Sequence, residues 1–234
     1  VSRLSVGDNI EIRKPVTEKW IKFMKMDNLV RDGKAQTWIK AGKFLITERT
    51  IAAIDGNIIT LTVPLIDCYD SNYTDDNTTI VVANNVGRLK QCGVENIRIE
   101  SPAQAVNHSK ALYYALRING EDCWAKDINA METMESIGIG GRRITLQQVN
   151  VIRKALHQGA SKPAEFAPNG GQILLDRCSV EGDNIWFAAL GAGQTGPIVF
   201  LNCTFKGNGR IEGHQRWSTG ILLDNCSLPN GGIV

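Results

Sequence analysis

The sequence predicts an all-β protein: a right-handed parallel β-helix, or solenoid, preceded by a small antiparallel β subdomain. Three observations carry this prediction. The first is a repeat in the second half of the chain, where Leu175 to Val180, Phe200 to Phe205 and Leu223 to Leu228 share one pattern of apolar, two mostly polar, Cys, hydroxyl, apolar. The second is that looser copies run upstream at Leu146 to Val151, Gly120 to Ala125 and Val94 to Ile99. The third is the clean apolar–polar alternation near the amino terminus, with a hairpin signal inside it.

The amino-terminal elements come first in the chain. Leu4 to Ile12 and Arg49 to Val63 alternate as strands, and Asp55-Gly56-Asn57 supplies the residues a tight hairpin turn requires. Between them, Thr17 to Val30 reads as a short helix or an ordered loop rich in aromatic and Met residues. We read residues 1–67 as the antiparallel subdomain and 68–90 as the passage into residues 91–234, the coils.

In the coils, the fourth positions of the six copies are Ile97, Cys123, Val149, Cys178, Cys203 and Cys226, at intervals of 26, 26, 29, 25 and 23 residues. That interval is too long for a hexapeptide coil, and each copy alternates like a half-buried strand. Strands recurring once per coil with Gly and Asn between them describe stacked coils rather than a sandwich. Asn96, Asn202 and Asn225 sit just before the inward position, where a turn needs a residue that tolerates left-handed backbone. A second inward column is Val106, Ile137, Leu156, Ile185 and Ile211. Its outward followers place His157, Trp186, Glu212 and His214 along one external groove.

Composition limits the function classes. The 234 residues are 43% hydrophobic and 21% charged, which is enough apolar material for a core and too much for disorder. A net charge of +2 without any run of five like charges argues against a partner held by its phosphates, so no nucleic acid is expected. The apolar runs, such as Ile185 to Leu190, are far shorter than the roughly 18 residues of a membrane span. The first residue is Val and the last segment, Leu228 to Val234, closes on a strand-like stretch with no cap, so the sequence reads as an excerpt of a longer chain with further coils or domains.

Taken together, Val6-Gly7-Asp8, the hairpin Ile54 to Leu65, Gly93 to Ile99 and Gly213-His214-Gln215-Arg216-Trp217 resemble the pectate-lyase-like right-handed β-helix superfamily. The likeness is to its carbohydrate-active members with a β-rich insertion, and it covers nearly the whole chain. The resemblance implies a polysaccharide partner and a secreted or periplasmic location. It leaves the reaction open, because the superfamily includes uronate lyases, glycoside hydrolases, esterases and phage tailspikes.

A uronate lyase must neutralise a carboxylate, remove the C5 proton and help the C4 oxygen leave. His157 and His214 supply a base or acid, Arg216 a carboxylate partner, and Glu212 a group to orient a histidine or bind a hydroxyl. Lys154 and Lys162 are alternates. Trp186 and Trp217 can stack on sugar rings. Arg142-Arg143 reads as a solvated turn, with Arg142 kept as a sugar contact, and His108 as a core or turn histidine. A hydrolase would need two carboxylates about 5 to 9.5 Å apart. No pair falls in one outward column of the coils, although loops could bring Glu132 or Glu135 toward Glu212.

No metal site is expected and no cofactor is obligatory. The acidic stretch Asp67, Asp70, Asp75 and Asp76 is a possible weak Ca²⁺ site that reads better as a solvated loop. The sequence has no C-x-x-C pair, and four of its Cys fall at inward repeat positions, where stacked free thiols are expected. Whether Cys68 and Cys92 pair stays open. The leading expectation is a polysaccharide lyase on an acidic glycan; a glycoside hydrolase and a non-catalytic glycan-binding or adhesin module are the alternatives.

Overall fold

The computed structural model describes residues 4–75, 77–105, 113–157, 162–213 and 217–234. The chain is 52% strand and 5% helix, arranged as a parallel β-solenoid of about four turns with a small antiparallel sheet at its amino-terminal end.

The sheet has four strands in the order Ile58–Leu61, Phe44–Asp55, Asn9–Pro15 and Thr79–Val82, each antiparallel to its neighbour. Asn9–Pro15 alternates strictly, burying Ile10, Ile12 and Lys14 on one face, as its period-two sequence requires. The expected hairpin forms, with Gly56 at φ +56° in the turn between Asp55 and Ile58. The segment after the first strand resolves into a helix, Glu18–Phe23. Thr17 caps it by accepting the Trp20 amide at 3.0 Å, and Trp20 and Ile21 are its buried residues.

The coils stack in parallel register. Leu116–Met131 lies between Gly93–Glu100 and Ile137–Ile152. The latter pairs with Ala164–Asp176 and Ser179–Glu181, and these pair in turn with Trp186–Ala189, Ile198–Leu201 and Thr204–Lys206. Like residues therefore stack in columns through the core. One is Cys123, Ile144, Ile173, Ile198 and Ile221; another is Leu116, Ile137, Phe166, Ala188 and Ile211.

These registers correct two expectations. Ile97 pairs with Ile128, not Cys123, and the column continues through Val149. The confusion has a physical origin: the first four coils each turn two left-handed corners five residues apart. One series of corners is Gln91, Asp122, Arg143 and Gln172, and the other is Asn96, Asp127, Gln148, Arg177, Asn202 and Asn225, all at φ between +49° and +59°. Asp122-Cys123 follows the same local rule as Asn202-Cys203, but at the other corner. In the second column, Ile137 and Ile211 stand as expected. Phe166 and Ala188 replace Leu156 and Ile185, and Leu156 is 58% exposed. Val106 lies outside the described residues.

Two features fix how the sheet meets the coils. Gly120, Gly141 and Gly170 stack directly, and a Cβ on Gly141 would sit 2.0 Å from the Gly120 carbonyl oxygen, so only glycine allows the coils to close here. The sheet docks beside this ladder. Buried Arg49 donates to the carbonyls of Glu48 and Pro64 within the amino-terminal region and of Gly196 in the coils, at 2.8 to 3.3 Å. Thr47 and Thr195 join by their hydroxyls at 2.9 Å. No helix is long and apolar enough to cross a membrane.

Candidate functional site

The docking of sheet on solenoid leaves a cleft of about 420 Å³. Glu11, Phe44, Ile46, Glu48 and Arg49 line it from the sheet, and Asn119, Gly141, Arg142, Asn169 and Gln194 from the coils. Arg142 is its focus. It stacks between Glu121 of the preceding coil and Gly171 of the next. Gly171 has no side chain to cover Arg142 from the next coil, and a Cβ there would meet the Gly196 carbonyl oxygen at an ordinary 3.5 Å.

The Arg142 side chain is 1% exposed, and its three guanidinium nitrogens have no hydrogen-bond partner among the described residues. Its carboxylate neighbours approach it off the line of an N–H: Glu121 Oε1 lies 3.1 Å from Nη2, and Glu48 Oε2 lies 3.8 Å from Nε. Both carboxylates also engage other arginines. Arg88 grips Glu48 with two hydrogen bonds of 2.7 and 2.9 Å, which keeps that carboxyl below its ordinary range against the opposing effect of burial. Burial pushes Glu121 up, but Arg142 and Arg143 outweigh it and its carboxyl also ends low. Arg143 in turn spends its donors on Glu121 and Asp122. A buried cation with unsatisfied N–H groups is costly, so the arrangement suits an incoming anion with oxygens to accept them.

Glu11 and Glu48 face each other across neighbouring strands of the sheet, a carboxylate pair that a search confined to the coils misses. Both are engaged by arginine, Glu11 by Arg13 at 2.7 Å and Glu48 by Arg88. Arg88 holds Glu48 against serving as a proton donor.

The residues expected to share one groove are dispersed. His157 is buried at 3% exposure, the reverse of its expected outward position, because Leu156 and not His157 faces solvent; its carbonyl accepts from Asn184 Nδ2 at 2.9 Å. Trp186 stacks between Ala164 and Arg210, while Glu212 is level with Ala189, so the two occupy different columns. Lys162 does join Trp186, with Nζ 5.6 Å from the ring centroid. Trp217 is taken up by packing: its ring meets Trp20 edge-on at 5.0 Å and helps seal the sheet against the coils. Lys154 is exposed on a shallow basin with Arg153, Glu181, Asp183 and Lys206, none of which lines the cleft. Arg142, expected in a solvated turn, is instead a buried cation lining the cleft. His108, His214 and Arg216 lie outside the described residues.

Elsewhere, side chains serve the fold. Asp67 pairs with buried Lys14 at 3.0 Å, Asp70 caps the helix Ser71–Thr74, and Asp75 pairs with Lys19 at 2.6 Å. Asp76 is outside the described residues, and among those described no group of three or more His, Cys, Asp or Glu could hold a metal ion. All six cysteines are free; Cys68 and Cys92 are exposed, and Cys178 and Cys203 are buried. Contact with Cys203 and burial push the Cys178 thiol up, leaving it inert. Glu165 is fully buried against the Ser136 hydroxyl and amide, and burial raises its carboxyl to about 7. It does not line the cleft.

No known protein family matches the chain, and no curated protein or solved structure matches it either.

Proposed function

We propose that the protein is a carbohydrate-active solenoid that takes an acidic, uronate-bearing glycan into the cleft between sheet and coils, with polysaccharide lyase chemistry as the reaction. One observation carries the proposal: the Arg142 guanidinium is buried in the wall of the cleft, and its nitrogens have no hydrogen-bond partner among the described residues. A sugar carboxylate is planar and can accept two parallel N–H groups, the geometry a guanidinium offers. Asn119, Asn169 and Gln194 line the same space with amides suited to hydroxyls. The sequence resemblance to carbohydrate-active β-helices and the parallel solenoid point the same way.

In β-elimination, a group that neutralises the carboxylate stabilises the charge that develops when the C5 proton leaves. Arg142 fits that role. Hydrolysis fits less well, since a general acid must keep its proton near neutral pH and Glu48 is held in the opposite direction by Arg88. A specific observation also favours binding without turnover: all three guanidinium nitrogens of Arg49, the other buried cation lining the cleft, donate to backbone carbonyls, so it is engaged in holding sheet to coils rather than presented to a substrate proton.

The test follows the ultraviolet absorbance of an unsaturated uronate while the folded protein meets pectate, alginate and hyaluronan, with and without EDTA. Lyase chemistry requires a rise that is lost in Arg142→Gln. New reducing ends without that absorbance would transfer the proposal to hydrolysis. Binding without product, again lost in Arg142→Gln, would establish the glycan-binding module. If Arg142→Gln binds every polymer as the parent does, the cleft is not the site.

A further inference from the structure

We infer that the cleft continues into an accessory subsite on the amino-terminal lobe, built by Trp38, Phe44, Lys40 and Lys43, which holds the next sugars of the same acidic chain. The inference rests on the proposal that Arg142 takes a uronate carboxylate, and it adds the requirement that the ligand be a polymer. A second cavity of about 410 Å³ adjoins the Arg142 cleft and shares Phe44, Ala192 and Gly193 with it. Its walls include Trp38, Lys40 and Lys43. Phe44 is 52% and Trp38 36% exposed, so two aromatic rings stand in solvent along the continuation of a polar cleft. Sugar rings present C–H faces that stack on such rings, and the two lysines beside them match carboxylates spaced along a polyuronate.

Charge segregation supports the same occupant. Residues 19–43 hold seven Lys or Arg and two Asp, a surplus of five, whereas the whole chain carries only +2, so the rest of the protein is net acidic. A lobe of this sign over one end of the cleft steers an anionic polymer toward it. The segment is also anchored where it meets the cleft. The Val16 amide donates to the Lys43 carbonyl at 2.8 Å, the Gly42 amide to the Val16 carbonyl at 2.9 Å, and the Gln36 amide to the Leu29 carbonyl at 2.8 Å. A platform fixed before binding loses less freedom when it engages its ligand.

The subsite is tested by calorimetric titration of the full chain with oligogalacturonates and oligomannuronates of one, three and six residues. A single-stranded oligodeoxynucleotide serves as a second polyanion. In the parent, the six-residue uronate of the preferred series should bind about tenfold more tightly than the three-residue one. Trp38→Ala and the double variant Lys40→Ala/Lys43→Ala should abolish most of that gain, whereas Arg142→Gln should weaken oligomers of every length. Both sets of side chains at the subsite are solvent-facing, and unchanged thermal melting confirms that the variants are folded. Equal affinity for three and six residues, or a length gain that survives in Trp38→Ala, overturns the subsite and leaves the Arg142 proposal standing. Failure of every uronate to bind the parent overturns both. Tighter binding of the oligodeoxynucleotide than of any uronate, lost in the lysine variant, also overturns the inference and assigns the lobe to nucleic acid.

Discussion

The antiparallel sheet and the solenoid bury their interiors by different rules. In the sheet, a single strand such as Asn9–Pro15 alternates strictly, and its inner face accepts charged residues, with Lys14 and Arg49 both buried and both supplied with oxygen partners. In the coils, the inner columns are almost wholly apolar, repeating Ile, Leu, Phe, Val and Cys from turn to turn. The buried charges of the solenoid, Glu121, Arg142, Arg153 and Glu165, stand at the margins of those columns. The difference follows from neighbours. A core residue of a stacked coil has a like residue above and below and can satisfy no polar atom there, while a sheet packed on another body meets that body's backbone carbonyls.

Substitutions can break or sharpen this contrast. The largest effect is expected at Gly141, where a Cβ would enter the Gly120 carbonyl. Gly141→Ala should destabilise the coils by about 4 kcal/mol or more, measured by denaturant unfolding. Gly33→Ala on the amino-terminal lobe should cost only about 1 kcal/mol, because its φ of +72° is strained for alanine but nothing lies within 4 Å. Comparable losses at the two sites would mean that the glycine ladder is not what lets the coils close.

Next comes Glu165. Its carboxyl keeps a proton up to about 7 in the fold and only to the ordinary 4.5 when unfolded, with desolvation the largest cause, Arg153 opposing it and Glu135 adding to it. A raised pKa means that the folded state binds the extra proton between those values. The contribution of Glu165 to stability is therefore fully present below about pH 4.5 and falls by about 3 kcal/mol as pH rises through 7. Glu165→Gln should remove that slope and leave the protein more stable than the parent at pH 8, as followed by melting across the range. A slope unchanged in the variant would assign the titration elsewhere.

The seam between the two regions is sharpened by Arg49→Met. Carbonyls of Glu48, Pro64 and Gly196 lose their donor, and a cost of about 2 kcal/mol is expected. Hydrogen exchange should then quicken in 44–55 while 137–152 stays protected. Uniform loss of protection would show that sheet and coils unfold as one unit. The smallest effect belongs to Asn225, at φ +49° on the last corner. Asn225→Ala should cost about 1 kcal/mol and Asn225→Gly a few tenths or less by thermal melting, and the reverse order would remove the conformational argument for the corner ladder.

Much of the fold was legible because its signals are local. Asp55-Gly56-Asn57 specified the hairpin, and Asn96, Asn202 and Asn225 marked corners that do adopt left-handed backbone. The register of Cys123 was not legible, since two corners per coil obey one local rule and only stacking tells them apart. The outward face was misread at Leu156 and His157, where the chain leaves its strand at Ile152 and alternation no longer reports direction. The cleft was largely hidden. Arg142 in Gly140-Gly141-Arg142-Arg143 reads as a solvated turn until the sheet, more than ninety residues earlier in the chain at Glu48 and Arg49, is laid over it. Two signals were available: glycines recurring at one position of successive coils, and the surplus of lysine in 19–43.

The paired corners have a further consequence. Gln91 and Asn96, Asp122 and Asp127, Arg143 and Gln148, and Gln172 and Arg177 are each five residues apart, although successive coils differ in length by up to ten residues. All of that variation is taken up on the remaining side of each turn. Insertions and deletions spliced into that side can exchange whole loops without moving the corner that carries Arg142. The architecture thus separates an edge of fixed length, which carries Arg142, from a side whose length varies from coil to coil, so loops can differ around the cleft without displacing it.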